Sequence, residues 1–192
     1  EMAKTKLNFI TDKNILTDEE INYINSEVLG NNFPWYYEPV ATTDKFQFFS
    51  HTLLVRETDE VNSIHFEFFK NIFLRFANLH KLKVKAITRA VLNLTNNSSY
   101  KNGDPHVDHE FKHKVFMLYL NTIEGDTIVY DKKYTGKKQF TTIPLEKIKK
   151  PLDKIKKIKP EFGKGVCWDG SYYHSAGFPK EGRRVVAVIT FI

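Results

Sequence analysis

The chain has 192 residues, 41% of them hydrophobic and 27% charged, a balance that fits one packed domain and excludes a disordered or fibrous chain. Its single cysteine, Cys167, excludes an intramolecular disulfide and a thiolate metal cage. The formal charge of +6 invites an anionic partner, but the segment 145–164 alone holds eight Lys against three acids, and only five of the 29 basic residues are Arg. Arg does most bidentate base reading, so this localised, Lys-rich charge disfavours nucleic acid as a partner. No apolar run approaches a membrane span, and Met2-Ala-Lys-Thr-Lys6 leads into no apolar segment. Neither membrane association nor a signal peptide is therefore expected, a cytoplasmic location is, and Glu1 reads as a cloning remnant.

Thr17-Asp-Glu-Glu20 is a capping-box pattern, and Ile21, Ile24 and Val28 follow at helical spacing with Gly30 at the C-cap position. A helix over about 18–29 is expected. Asn32-Phe-Pro-Trp-Tyr-Tyr37 is aromatic and broken by Pro34; Trp35, Tyr36 and Tyr37 fit either core or a substrate entrance. Residues 45–55 read as a strand. From 62 to 80, Ile64, Phe68, Ile72, Phe76 and Leu79 recur every three or four residues, predicting a long amphipathic helix on one face of a sheet. Beyond residue 83 come short β-rich runs at 84–94, 114–121, 127–130, 139–143, 155–159, 165–168 and 185–191. The layout predicts an α+β, mainly β chain: a single domain with helical and aromatic support in 1–82 and a jelly-roll or barrel core in 83–192.

Two of the seven histidines and their neighbours carry the chemistry. His106-Val107-Asp108 sets an imidazole and a carboxylate at i and i+2, which on a strand share one face about 7 Å apart. His174 lies 68 residues downstream, far enough for the β domain to fold back and close a site. Two His and one carboxylate on one face of a metal form the facial triad of non-haem Fe(II) oxygenases. Arg184 heads the last strand ten residues after His174 and suits a bidentate grip on a carboxylate. Tyr119 is a phenol on an otherwise apolar strand.

With these residues the chain resembles the iron and 2-oxoglutarate dependent dioxygenases, and within them the prolyl-hydroxylase-like branch. The pattern is His106 and Asp108, then Tyr119-Leu-Asn121, Gly125-Asp-Thr127, His174 and Arg184. Phe33-Pro-Trp-Tyr36, Phe46-Gln-Phe-Phe-Ser-His51 and Arg89-Ala-Val-Leu-Asn93 are similar to small oxygenases encoded by marine bacteriophages. The resemblance implies a double-stranded β-helix (jelly-roll) core. It further implies that His106, Asp108 and His174 bind Fe(II), that Arg184 pairs with the distal carboxylate of 2-oxoglutarate with Tyr119 donating to it, and that Asn93 is a second polar contact. The implied activity uses O2, with ascorbate as a supporting reductant, to hydroxylate an unactivated C–H of a peptidyl proline, another protein side chain or a small molecule, giving succinate. A nucleic-acid demethylase or a non-catalytic cupin-like metal module is the alternative. The demethylases carry a second Arg six residues after the anchor, where this chain has Thr190.

Arg183 beside Arg184 leaves the anchor ambiguous. Strand alternation sets Arg184, Val186, Val188 and Thr190 on one face and Arg183, Val185, Ala187, Ile189 and Phe191 on the other, and both faces are largely apolar. The offset from His174 and the match of Gly182-x-Arg184 to prolyl hydroxylases favour Arg184. His109 and His113 read as loop residues without a metal role, His51, His65 and His80 as structural or solvent histidines, and Cys167 as a buried small hydrophobe. The lysines of 146–159 fit an edge strand that discourages pairing, or a rim that attracts an acidic substrate.

Overall fold

The computed structural model describes residues 8–39 and 46–192; Glu1, Met2–Lys6 and the start of the expected 45–55 strand at Lys45 lie outside them. The elements are β1 (Ile10–Asp12), α1 (Asp18–Tyr23), β2 (Tyr36–Glu38), β3 (Phe48–Leu54), α2 (Phe66–Leu79), β4 (Ile87–Asn96), β5 (Lys114–Tyr119), β6 (Thr127–Lys133), β7 (Lys154–Ile158), β8 (Gly165–Asp169), β9 (Tyr172–Ser175) and β10 (Arg183–Phe191). They form a seven-stranded sheet, β1-β8-β5-β10-β4-β3-β2, and a three-stranded sheet, β7-β6-β9, with every pairing antiparallel. The N-terminal part is thus more than helical support, because β1 lies at one end of the large sheet and β3 and β2 at the other.

Strand parity divides the large sheet into two faces. Ala90, Leu92, Leu94, Phe116, Leu118, Val185, Ala187, Ile189 and Phe191 share one buried cluster with Phe66, Phe69, Phe73 and Phe76 of α2. Val91, Val115, Met117, Val186 and Val188 face the small sheet and pack with Val129, Ile158 and Tyr172. A helix therefore backs one face, a second sheet covers the other, and the space between the sheets holds the polar residues considered below.

The α1 capping box forms: Glu20 N donates to Thr17 Oγ1 at 3.2 Å and Thr17 N to Glu20 Oε2 at 2.9 Å. Glu20 also takes both terminal nitrogens of Arg75, at 2.9 and 2.5 Å, tying α1 to α2. The expected 18–29 helix continues beyond α1 as a π-turn over Ile24–Val28. The expected 62–80 helix begins only at Phe66, because the Ser63 hydroxyl and carbonyl hold His65 and Phe66 in a preceding turn. Its buried stripe is Phe66, Phe69, Ile72, Phe73 and Phe76, while Ile64 and Leu79 of the expected stripe are 92% and 58% exposed. Residues 139–143 form no strand; Thr142 makes one isolated bridge to His106. β9, a short strand carrying His174, is not among the expected runs; the turn at Gly170-Ser171 takes the chain from β8 in the large sheet to β9 in the small one. β7 is an edge strand of the small sheet with Lys154, Lys156 and Lys157 exposed, a placement at which lysines oppose strand addition.

Two glycines allow the sandwich to close beside β10. Gly125 has φ +102°, and a Cβ on Gly177 would lie 2.4 Å from Gly125 C and 2.5 Å from Asp126 O. Gly177→Ala is expected to destabilise the fold by about 1–3 kcal/mol through overpacking, lowering the melting temperature by roughly 2–4 °C per kcal/mol in a calorimetric scan. Because Arg184 Nε donates to Gly125 O at 2.9 Å, the same variant should disturb that side chain.

Candidate active site

The mouth of the sandwich encloses a cavity of about 370 Å³ whose walls include Arg89, Asn93, His106, Asp108, Thr127, His174, Arg184, Val186 and Val188, at the small end of ligand sites. His106 and His174 reach it from paired backbones: each N–H donates to the other's carbonyl at 2.9 Å. His106-Val107-Asp108 is consequently not part of a regular strand, as the i, i+2 argument assumed; the isolated bridges of His106 to Thr142 and His174 supply the extended geometry instead. The side chains of His106, Asp108 and His174 each offer a ligand atom within 4.8 Å of the others.

The protonation pattern of the three fits a divalent metal. Nδ1 of His106 lies 3.0 Å from Asp104 O, and Nδ1 of His174 lies 3.4 Å from Tyr172 O. A carbonyl only accepts, so both Nδ1 atoms carry a proton, and in the neutral tautomer that leaves Nε2 as the lone-pair nitrogen, the arrangement that backbone carbonyls impose on metal-binding imidazoles. Asp108 Oδ2 is buried without a hydrogen bond among the described residues. His174 Nε2 stands 3.4 Å from it, and an uncompensated buried carboxylate oxygen is costly. A cation held by the two Nε2 atoms and Oδ2 would satisfy all three.

Burial, followed by the neighbouring His174, pushes the His106 imidazole down to about 4. Burial alone would raise the Asp108 carboxyl, but His174, His106 and Arg89 outweigh it and hold the group well below its ordinary value. His106 is therefore neutral and Asp108 ionised near neutral pH. The metal-free protein should accordingly lose stability as pH falls from 6.5 toward about 4, where the unfolded chain takes up a proton on this histidine and the folded one does not. Urea midpoints across that range should fall in the wild type and fall less in His106→Gln.

At the other end of the cavity Arg184, 1% exposed, donates from Nε to Gly125 O at 2.9 Å and from Nη2 to Thr127 Oγ1 at 2.7 Å. Nη1 makes no hydrogen bond within the described residues and is left for a ligand. Burial lowers its proton affinity and the adjacent Tyr119 opposes that shift. Arg183, in contrast, leaves the cavity and donates to Leu29 O at 2.7 Å. The parity of β10 thus turns Arg184 inward and Arg183 away.

Tyr119 is fully buried, and its hydroxyl meets Thr127 Oγ1 at 2.7 Å, with its ring 5.6 Å from the Arg184 guanidinium carbon. The cavity wall there includes Thr127, and the Tyr119 phenol stands beside it and against Arg184. Asn93 does line the cavity, and its buried Oδ1 has no hydrogen-bond partner among the described residues.

Arg89, Arg56 and Thr127 also line the cavity and had no role assigned from the sequence. For Arg89 the signal was parity, since Arg89, Val91 and Asn93 alternate along β4 on the face shared with Arg184, Val186 and Val188. Arg56 carried no such signal, because it lies in the turn after β3 and not on a strand with a readable parity. His109 is buried against Glu57 Oε1 at 2.9 Å and Thr190 Oγ1 at 2.7 Å, and His113 against Phe111 O at 2.8 Å, so neither joins the triad. His51 bridges Pro34 O and Ser63 Oγ, a structural role. Cys167 is buried, which pushes its thiol up to about 12. Tyr36 and Tyr37 are exposed on β2 and do not line the cavity, whereas Trp35 packs against the core.

No protein-family description and no curated protein matches the sequence. Solved structures do match the fold. An oxidoreductase of the 2OG-Fe(II) oxygenase family from Burkholderia pseudomallei aligns with 95% of this chain and 85% of its own, with TM-score 0.64 and 14% identity. The non-haem α-ketoglutarate dependent epimerase SnoN of nogalamycin biosynthesis aligns over 97% and 79%, with TM-score 0.64 and 12% identity. A prolyl hydroxylase from Trichoplax adhaerens, solved with a hypoxia-inducible-factor peptide, aligns over 97% and 84%, with TM-score 0.59 and 13% identity. At such identities the likeness is one of architecture: the two sheets, the backing helix and the inter-sheet cavity make up the jelly-roll fold of the 2OG-Fe(II) oxygenases.

Proposed function

We propose that the protein is an Fe(II)- and 2-oxoglutarate-dependent hydroxylase acting on an unactivated C–H of a protein or amino-acid side chain, a peptidyl proline first. The observation that carries this reading is one cavity holding His106, Asp108 and His174 at one end, with Asp108 Oδ2 unpaired, and the buried Arg184 with a free Nη1 at the other. A fold-level likeness to a structure of SnoN with Fe3+ and α-ketoglutarate, TM-score 0.60, supports the choice of metal and cosubstrate.

Each residue then has a defined task. His106 and His174 present neutral Nε2 lone pairs and Asp108 an anionic oxygen, a nitrogen and oxygen donor set suited to Fe(II) that leaves positions open. When bound, iron and 2-oxoglutarate supply the activation of O2 for C–H hydroxylation, with carbon dioxide and succinate as co-products. Arg184 Nη1 pairs with the far carboxylate of the cosubstrate, and its remaining nitrogens are fixed by Gly125 O and Thr127 Oγ1, so little side-chain freedom is lost on binding. Asn93 Oδ1 accepts a hydrogen bond from a ligand donor. Val186 and Val188 give the cavity an apolar wall that excludes water from the reacting centre.

The cavity accommodates a cosubstrate and one modest side chain, which favours a single residue of a peptide over a large polycyclic substrate. Thr190, the position of the second Arg in nucleic-acid demethylases, is buried and bonded to His109 and Thr88, so the demethylase reading gains nothing from it. The test is succinate formation from 2-oxoglutarate by the protein with Fe(II), ascorbate and air, with and without proline-containing peptides. Peptide-stimulated succinate and a product heavier by one oxygen support the proposal. A metal-loaded protein that neither binds nor decarboxylates 2-oxoglutarate overturns it.

A further inference from the structure

The two oxygens of the Asp108 carboxylate have unlike surroundings. Oδ1 receives Nη1 of Arg89 at 3.2 Å, whereas Oδ2 is buried, has no hydrogen bond and faces His174. Asp108 is the only hydrogen-bond partner of the Arg89 side chain among the described residues. The other acid that acts on Arg89, Glu38, already accepts from Ser50 Oγ at 2.6 Å. Arg89 stands on β4, a strand bonded on both sides, to β10 and to β3, so its backbone is as fixed as any in the sheet. Arg56 donates to the backbone carbonyl of Asp108 as well, which anchors the same residue by its main chain.

Two cations against one carboxylate would work against a divalent metal by charge alone, so their presence at this ligand calls for a geometric reason. Resting on the metal-centre reading above, we propose that Arg89 is a positioning residue that fixes the denticity of Asp108. By holding Oδ1 it turns Oδ2 into the cavity and limits the carboxylate to one oxygen for the metal. A carboxylate otherwise rotates freely about its last torsion and can offer both oxygens. A second coordinated oxygen would fill a position that a three-residue site must keep open for cosubstrate and oxidant. The guanidinium suits the task better than an ammonium because its planar group fixes the direction of the Nη1 donor to Oδ1.

The test uses Mn(II) alone as the probe, with free ion measured by electron paramagnetic resonance, on wild type, Arg89→Ala, Arg89→Lys and Asp108→Ala. Arg89→Ala is expected to weaken Mn(II) binding about 10–100-fold, the usual cost of a lost partner behind a metal ligand. Methylguanidinium should restore part of the loss where sodium chloride at equal strength does not, and Arg89→Lys should recover less than the wild-type side chain provides. Wild-type affinity in Arg89→Ala, or a loss that methylguanidinium reverses no better than salt, overturns the proposal. Should Arg89→Ala not fold by circular dichroism, the wild type decides. Infrared difference spectra of protein carrying ¹³C at the aspartate carboxyls, with and without Mn(II), should show the wide splitting of a one-oxygen carboxylate, and a narrow two-oxygen splitting overturns the role given to Arg89. Equally poor Mn(II) binding by wild type and Asp108→Ala would instead overturn the metal centre itself.

Discussion

Asp108→Asn should leave the protein folded and remove its metal binding and 2-oxoglutarate turnover together. The amide has the shape of the carboxylate and keeps an oxygen to accept from Arg89 at the position of Oδ1, so the packing around it has little reason to change. It loses the anionic donor, and it can place an NH2 group where Oδ2 now faces His174 Nε2, a donor where the metal needs a lone pair. The loss in Mn(II) affinity should exceed the ~100-fold that a missing outer partner can cost, since a ligand itself is gone. His106→Ala and His174→Ala should match it in turnover. Isothermal titration with Mn(II), succinate assays and circular dichroism on the same preparations make the comparison. Preserved Mn(II) affinity in folded Asp108→Asn would remove Asp108 from the ligand set.

The position of Asp108 was legible in the sequence, while the manner in which it is held was not. His106, Asp108, His174 and Arg184 line one cavity, Arg184 from the start of β10, a strand that chain order and parity outline, and His106 and Asp108 from the connection between β4 and β5. The supporting geometry came from less regular features. His106 owes its extended backbone to two isolated bridges, which no alternation of polar and apolar residues announces. His174 lies on a four-residue strand of uniformly buried residues, Tyr172–Ser175, too short to show a period. In α2, apolar residues occupy so many positions that two overlapping stripes are available; the start of the helix at Phe66 chooses between them. The hydroxyl of Tyr119 meets Thr127, eight residues further on, a pairing that no spacing in the sequence announces. Thr127 enters the sequence reading only as the end of the Gly125-Asp-Thr127 segment, and its contact with Arg184 arises when β6 faces β5 and β10 across the sandwich.

That contact decides the second large effect, on the cosubstrate. Arg184→Gln is expected to raise the 2-oxoglutarate concentration needed for half-maximal turnover by about ten- to a hundredfold, corresponding to a hydrogen bond to a charged group worth about 1.5–3 kcal/mol. The neighbouring Arg183→Gln should leave this requirement unchanged, because Arg183 spends its donor on Leu29 O outside the cavity, and should cost only about 1 kcal/mol of stability. Thr127→Val should fall between the two: the guanidinium keeps its bond to Gly125 O but loses the acceptor that holds Nη2, and Tyr119 loses its hydroxyl partner. Tyr119→Phe should have a smaller effect in the same direction, since Thr127 still accepts from Arg184. The ordering Arg184→Gln, Thr127→Val, Tyr119→Phe, Arg183→Gln can be read from initial rates of succinate formation against 2-oxoglutarate at saturating Fe(II), with Mn(II) affinity measured alongside to confirm an intact metal site. An Arg183→Gln effect as large as that of Arg184→Gln would move the anchor to the other face of β10, against the direction in which the strand turns these two side chains.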